Sequence, residues 1–217
     1  MKTRVLIAIG VIGTCLTSGC VTGRRSFSVN VPSAESISNN SAKGSIAIGL
    51  ISDERHFENK PDEPSTPSIN GDVNLLSAAA KSTFIGRQRG SFGHAWGDIV
   101  LPEGQTVQGK VADLLREGLK RRGFKIVDMA VTDNSATAEI QQFWTWMSPG
   151  FWALSFEAQI KCKVTIVVGG KATSIIVKGY GLNHGQFAKD VNWQEAYDIA
   201  IQDFLANLEE QLDAAAL

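Results

Sequence analysis

The sequence has few of the residues on which metal sites, disulfide scaffolds and nucleic-acid surfaces depend. Its 217 residues include three cysteines and three histidines. Three cysteines exclude a disulfide-dense scaffold and the zinc modules built on cysteine pairs. No two histidines lie three or four positions apart, so no helical histidine pair can bind a metal. The formal net charge is −1, and we therefore expect no large basic surface and no nucleic-acid partner.

Long apolar runs and catalytic motifs are also absent. No run of about 18 apolar residues occurs, which a membrane-spanning helix would need. The sequence contains neither a Gly-x-Ser-x-Gly nucleophile elbow nor a phosphate-binding loop ending in Gly-Lys-Ser/Thr. We therefore expect no enzymatic activity, no cofactor and no metal. The residue types of a cation site occur together in one polar loop, which we expect to be solvated: His56 with Asp53, Glu58, Asp62 and Glu63.

What the sequence does contain is an export signal. Lys2 and Arg4 precede an apolar run from Val5 to Leu16, which is too short to cross a bilayer and typical of a signal-peptide core. Thr-Ser-Gly follows this run and directly precedes Cys20. Small residues directly before a cysteine resemble the bacterial lipoprotein box, in which the thiol receives a diacylglyceryl group and the chain is cut before the cysteine.

This resemblance implies a signal peptide at residues 1–19 and a lipidated Cys20 that anchors the chain to a membrane. Val21 follows the cysteine, where sorting rules of bacteria with two membranes place Asp in inner-membrane proteins. We therefore expect an outer-membrane protein that faces the periplasm. The alternative is a soluble secreted protein that is cut nearby, with Cys20 incidental.

The mature chain divides into a tether and one domain. Serine and asparagine dominate residues 20–43, which predicts a flexible tether after the lipidated cysteine. Within it, the alternation of Phe27, Val29 and Val31 permits a short strand. We assign residues 44–217 to a single domain. Its residues 56–105 read as a long irregular insert, because prolines, glycines and an Asn-Gly-Asp turn signal interrupt them.

Periodicity predicts the regular elements of that domain. Two helices show apolar residues at helical spacing, Thr106–Arg122 and Trp193–Leu212, the second with capping-box spacing at Asn192 and Glu195. Strands are predicted at 45–52, 124–130, 136–147, 151–168 and 172–182, the last two joined by a Gly-Gly hairpin turn. We therefore predict an α+β two-layer sandwich: a mostly antiparallel sheet of four to five strands with two helices packed on one face.

Three features carry candidate chemistry. Cys162 falls on the apolar side of the strand 151–168, which indicates a small core residue and not a nucleophile. Asp53 and Arg55 lie two positions apart in an extended segment, which favours an ion pair at a strand end. A hydrolase hidden in the glycine-rich stretch would depend on His94 or Asp98.

Aromatic residues cluster around the turn Ser148-Pro149-Gly150. They form a possible interaction patch: Phe143, Trp144, Trp146, Phe151 and Trp152. If the flanking strands pair, aromatics must occupy both faces of the hairpin. One interpretation is an exposed patch that meets a partner or a membrane. The other is a small second core beneath the segment 56–105.

The chain resembles the YajG-like family of bacterial lipoproteins. The resemblance rests on Leu16–Cys20, on Ser45–Arg55, on Val111–Phe124, and on the antiparallel strands from Ala138 to Tyr180 with the closing helix. The family has no assigned activity, so the resemblance implies an envelope lipoprotein without catalytic residues. The insert 56–105 and the tryptophan-rich turn depart from the family pattern.

We therefore expect a non-enzymatic cell-envelope lipoprotein whose periplasmic domain binds an envelope protein. The alternative is a carrier of a small ligand or lipid, or an auxiliary component of an envelope transport system, with the tryptophan cluster lining a pocket.

Overall fold

A computed structural model describes residues 23–33, 43–89 and 95–217. The predicted signal peptide, the predicted lipid-attachment residue Cys20 and the candidate His94 lie outside the described residues. The strands are β1 Arg25–Ser26, β2 Ser45–Asp53, β3 Phe84–Arg89, β4 Ala95–Val100, β5 Lys125–Val127, β6 Ser135–Pro149, β7 Leu154–Val168 and β8 Lys171–Gly185. The helices are α1 Ala78–Lys81, α2 Val107–Arg121 and α3 Asp190–Ala214, and a single 3₁₀ turn covers Val73–Leu75.

The eight strands form one mixed sheet around the long strand β6. One edge of β6 pairs antiparallel with β7 along its whole length, and β7 pairs antiparallel with β8. The other edge pairs parallel with β2 and then with β3, which lie end to end. Strand β5 pairs parallel with β2, and β4 and β1 extend the sheet beyond β3. The α+β class is confirmed, but the prediction of four to five mostly antiparallel strands is wrong.

Arg55 closes the gap between β2 and β3. Its guanidinium is fully buried, and its Nε and Nη2 donate to the two carboxylate oxygens of Asp53 at 2.8 Å each. Its remaining donors reach carbonyl oxygens of Phe84 at 2.7 Å, Phe143 at 3.0 Å and Lys81 at 2.9 Å. The carbonyl of Phe143 lies at a point of β6 where neither β2 nor β3 pairs with the strand. The Arg55 side chain therefore supplies the hydrogen bond that a neighbouring strand would otherwise donate.

The two predicted helices are present with small differences at their ends. The Thr106 hydroxyl accepts from the Gly109 N–H and caps α2, as predicted. Helix α3 begins at Asp190, earlier than predicted, with Lys189 as a cap that lacks a side-chain hydrogen bond. The predicted capping box at Asn192 is therefore wrong: its side-chain amide donates to the Phe187 carbonyl instead. None of the described helices is long and apolar enough to cross a bilayer.

Helices α2 and α3 share one hydrophobic core with the sheet. Side chains from both helices pack with those of β2, β6, β7 and β8 in one buried cluster. Two glycines of β8 permit the close contact, since a Cβ at Gly179 or Gly181 would collide with the α3 backbone at Ala200 or Ala196. The tyrosine hydroxyl of Tyr197 donates to the Ile85 carbonyl at 2.8 Å and ties α3 to β3.

A β-bulge at Gln141 exchanges the two faces of β6. Ile140 pairs with Cys162 but Gln142 pairs with Lys161, so Gln141 has no partner across the ladder. Before the bulge, even-numbered residues of β6 face the helices, and after it the odd-numbered ones do. Consequently Trp144 and Trp146 face the opposite side of the sheet.

A second core covers that opposite side. Trp144 and Trp146 pack there with Phe57, Ile69, Val73 and Phe84. Polar side chains of the sheet hold the covering segment by its backbone: Gln142 donates to the Ser65 carbonyl, Trp144 to Pro64, Arg87 to Ile69 and Arg89 to Pro61. The description of residues 56–105 as an irregular insert is therefore corrected, because this stretch contains β3, β4, α1 and a packed layer.

Residues 23–33, which the sequence places in the flexible tether, pack against the domain. Strand β1 pairs parallel with β4, although it is only two residues long. Phe27 and Val29 are buried in the main core, and Phe27 makes an edge-to-face contact with Tyr197 at 6.4 Å. The ordered domain therefore begins no later than Gly23, three residues after Cys20.

Candidate functional site

One end of the molecule gathers several chain segments. Strand β6 ends there at Pro149, which pairs with Leu154 at the start of β7, and Leu154 pairs with Gly185 at the end of β8. The loop that follows Gly185 leads directly into α3 at Asp190. The turn between β6 and β7 and the loop between β8 and α3 are therefore neighbours.

The N-terminal segment reaches the same end. Strand β3 runs parallel to β6, so its last residue, Arg89, points toward this end and pairs with Ala95 at the start of β4. Strand β1 runs parallel to β4, and the Gly23 N–H donates to the Trp96 carbonyl at 2.8 Å. Gly97 permits this approach, since a Cβ there would collide with the Gly23 backbone.

Side-chain contacts join these segments. Arg25 of β1 forms an ion pair with Asp190 at the start of α3. The side-chain amide of Gln186 donates to the Trp152 carbonyl at 3.3 Å. The rings of Phe151 and Trp152 meet edge to face at 4.8 Å.

Four aromatic side chains are exposed at this end, which we call the aromatic end. They are Phe151, Trp152, Phe187 and Trp96, with exposed fractions of 89%, 83%, 69% and 41%. Every exposed Phe or Trp among the described residues belongs to this set. Monomeric soluble proteins rarely expose such aromatic groups together, and an exposed apolar patch marks a surface that meets a partner or a membrane.

The five residues of the predicted interaction patch fall into three places. Phe143 is buried in the main core, where it stacks on Tyr197 at 5.2 Å. Trp144 and Trp146 lie in the second core, and Phe151 and Trp152 are exposed at the aromatic end. Trp144 and Trp146 therefore match the second-core interpretation, whereas Phe151 and Trp152 are exposed, and their contact with a partner or a membrane stays a prediction. Trp144, Trp146 and Trp152 do not come together around a common pocket.

Two members of the aromatic end were missed by sequence reasoning. Trp96 and Phe187 are single aromatic residues outside any periodic pattern, and each follows a polar or glycine-rich stretch. A large apolar side chain directly after such a stretch is the signal that was available. Their grouping with Phe151 depends on strand register and is not visible in the sequence.

A second surface is the open face of β7 and β8, opposite the helices. Ile176, Tyr180 and Leu182 of β8 are half exposed along one line. The Tyr180 hydroxyl donates to a Glu157 carboxylate oxygen at 2.7 Å, and burial and this contact raise the pKa of Tyr180 to about 12. An open groove of about 810 Å³ borders this surface and is lined by polar side chains including Lys161 and Lys178.

The outer edge of β8 is partly closed. The backbone N–H groups of Lys178 and Tyr180 donate to side chains of α3, Asn207 at 3.0 Å and Asp203 at 2.9 Å. Such contacts reduce the capacity of an edge strand to pair with another chain. The face of the hairpin is therefore more accessible to a partner than its edge.

The other candidate residues from the sequence are Asp53, Arg55, Cys162 and Asp98, and each lies in a buried or ion-paired environment. Asp53 and Arg55 form the ion pair predicted from their spacing. Cys162 is buried, and burial raises the pKa of its thiol to about 12. Asp98 is buried beside Arg87 and accepts from the Asn70 N–H at 3.0 Å, and burial raises the pKa of its carboxyl.

The predicted polar loop around His56 shows one exposed contact, between the His56 imidazole and Glu58 at 3.4 Å. Within the described ranges, no group of three or more His, Cys, Asp or Glu side chains is arranged to hold a metal ion.

Neither a protein-family model nor a curated protein matches the sequence. Among solved structures, the chain is similar to protein XCC0632 from Xanthomonas campestris, described with the family-model DUF330. That similarity has a TM-score of 0.46 and 10% identity, and covers 88% of this chain and 98% of that one.

A structure described as an uncharacterized protein matches with a TM-score of 0.43 and 8% identity, over 88% of this chain and 99% of that one. The protein CT253 from Chlamydia trachomatis matches with a TM-score of 0.28 and 11% identity, over 81% of this chain and 96% of that one. The YajG-like resemblance stays a prediction.

Proposed function

We propose that this chain is a non-enzymatic lipoprotein of the cell envelope, anchored in the outer membrane by acyl chains on Cys20. Its α+β domain faces the periplasm and binds an envelope protein. The lipobox-like run before Cys20 motivates the anchor. The position of Gly23 determines where such an anchor would hold the domain.

Gly23 is held against β4, so the described domain reaches to within three residues of the proposed lipid. Three residues span at most about 11 Å. A lipidated Cys20 would therefore hold the domain directly at the membrane surface. The exposed aromatic end lies on that side of the molecule, where contact with a membrane would cover it.

The acyl chains on Cys20 would supply the affinity of the protein for the membrane. Each buried methylene contributes about 0.8 kcal/mol, so a single chain binds reversibly whereas several chains bind almost permanently. A mature protein that carries two or three chains therefore needs no spanning helix to stay on the membrane.

The partner surface that fits this arrangement is the open face of β7 and β8. These antiparallel strands are fifteen residues long and lie between the aromatic end and the distal Gly169-Gly170 turn, so their open face would extend about 46 Å into the periplasm. Ile176, Tyr180 and Leu182 offer apolar and hydrogen-bonding groups there without a covering helix. A photoreactive residue at position 176 is expected to cross-link one discrete envelope protein, and the same residue at the exposed Glu210 of α3 is the control. Equal products at both positions would contradict this surface.

The anchor is tested by metabolic labelling with palmitate. The wild-type chain and Cys162→Ser should both incorporate label and fractionate with membranes, because Cys162 is buried and takes no part in anchoring. Cys20→Ser should lose both the label and the membrane association. The proposal would be contradicted if the Cys20→Ser variant carried no label but was recovered with membranes as completely as the wild type.

A further inference from the structure

The aromatic end combines three properties that a membrane-contacting surface needs: exposed aromatic side chains, a suitable charge, and a position close to the proposed anchor. It exposes two phenylalanines and two tryptophans: Trp96, Phe151, Trp152 and Phe187. Tryptophan and other amphipathic aromatic side chains prefer the interface between lipid headgroups and acyl chains. The surface is made of loops and strand ends, so these side chains project from the domain and are not part of its packed faces.

The charges around this surface fit phospholipid headgroups. Lys189 is exposed two residues after Phe187, whereas the guanidinium of Arg24 lies over the Phe84 ring, 5.5 Å from its centroid, at the far end of β3. Asp190, the neighbouring carboxylate, is paired with Arg25 and so does not present a free negative charge. Exposed cations near an anionic leaflet gain electrostatic attraction over a distance of about a Debye length.

The covalent chain brings this end to the membrane. Gly23 lies beside Trp96, and the contact between Arg25 and Asp190 links β1 to the start of α3 and hence to the loop of Phe187. The Gln186 contact with Trp152 extends the link to the turn between β6 and β7. Since β1 and β6 are three strand positions apart, Gly23 and that turn are separated laterally by roughly 14 Å.

We infer that the aromatic end inserts Trp96, Phe151, Trp152 and Phe187 into the headgroup region of the phospholipid bilayer and so fixes the orientation of the domain. This inference rests on the proposed function, because the lipid on Cys20 delivers this end to the bilayer. The long strands β7 and β8 then stand away from the membrane, with the Gly169-Gly170 turn at the distal end.

The test measures depth at both ends of the same hairpin. The lipidated mature protein carries Phe151→Cys at the aromatic end or Lys171→Cys at the distal end, and is reconstituted in vesicles of phosphatidylethanolamine and phosphatidylglycerol. Both positions are exposed, and the native Cys162 is buried and does not compete for the label. An environment-sensitive fluorophore on each cysteine is challenged with aqueous iodide and with a quencher attached to lipid.

The inference predicts a blue shift, a several-fold loss of iodide quenching and strong lipid-quencher sensitivity at position 151, with none of these at position 171. Trp152→Cys replaces Phe151→Cys if the first variant does not fold. Water-like emission at both positions on vesicle-bound protein would overturn the inference. Protection at 151 that persists in detergent and rises with protein concentration, without lipid quenching, would assign the surface to a second copy and would also overturn it.

Mass spectrometry of Cys20 in the same preparation separates the two claims. A lipidated Cys20 with an unprotected position 151 contradicts the inference but not the proposed function. An unmodified Cys20 with a position 151 that vesicles still protect contradicts the anchor but not the membrane contact of the aromatic end.

Discussion

Replacement of Arg55 by alanine should destabilise the fold strongly, because this side chain joins three strands. All five N–H donors of the guanidinium are used, two on Asp53 and one each on the carbonyls of Phe84, Phe143 and Lys81. Removing one partner of a buried ion pair costs about 3–5 kcal/mol, since the other charge stays buried and unpaired. The carbonyl of Phe143 would also lose the bond that replaces a missing strand partner.

Urea denaturation followed by tryptophan fluorescence measures this loss, because Trp144 and Trp193 lie in the two cores. In thermal unfolding, the melting temperature should fall by about 6–20 °C, since 1 kcal/mol shifts it by about 2–4 °C in a chain of this size. Arg55→Lys keeps the charge but has fewer donors in a different geometry, and should lose less. Arg116→Ala is the matched control: its pair with Asp113 is half exposed and contributes less than about 1 kcal/mol. A loss of less than about 1 kcal/mol in Arg55→Ala would refute the claim that the guanidinium holds the strand junction.

Three further substitutions or treatments test the packing. Gly179→Ala should destabilise the fold by about 1–3 kcal/mol, because the new Cβ collides with the Ala200 carbonyl oxygen; an unchanged thermal unfolding curve would argue against this contact. Thr106→Ala should cost about 1 kcal/mol by removing the α2 cap, measured by urea denaturation, and Thr106→Ser should recover most of it; equal losses would exclude a capping role. Cys162 should react with thiol reagents only after unfolding, because burial raises the pKa of its thiol to about 12; rapid reaction in the folded protein would contradict its burial.

Local patterns were sufficient for the elements whose partners are near in the chain. Helical spacing and the caps at Thr106 and Gly123 define α2, and Gly123 adopts φ +88° as a left-handed helix end requires. The Gly169-Gly170 turn, with both φ values positive, joins β7 and β8 as predicted. In these cases one short stretch contains both the hydrophobic pattern and the residues that end it.

The parallel pairings were not predictable in the same way. Ala47 of β2 pairs with Ser135 of β6 and with Val127 of β5, so one strand joins segments that are distant in the chain. Hydrophobic alternation indicates which face of a strand is buried but not which strand lies beside it. Strand β3 was harder still, because its buried Arg87 and Arg89 resemble surface residues until the covering backbone is placed.

The aromatic cluster shows how one irregular residue redistributes a candidate site. The bulge at Gln141 places Phe143 under the helices and Trp144 under the second core. Beyond the strand, Phe151 and Trp152 have no covering layer and stay exposed. A pattern that alternates every two residues does not reveal where a bulge inserts an extra residue, so the sequence alone left two interpretations open.

The mass of the N-terminal tryptic peptide, measured on the protein purified from its own cells, is the most direct test of the lipid anchor. We expect a peptide that begins at Cys20, ends at Arg24 or Arg25 and carries a diacylglyceryl group with a further acyl chain on its amine. A peptide that begins elsewhere, or a Cys20 that carries no lipid, would contradict the anchor on which the proposed function depends.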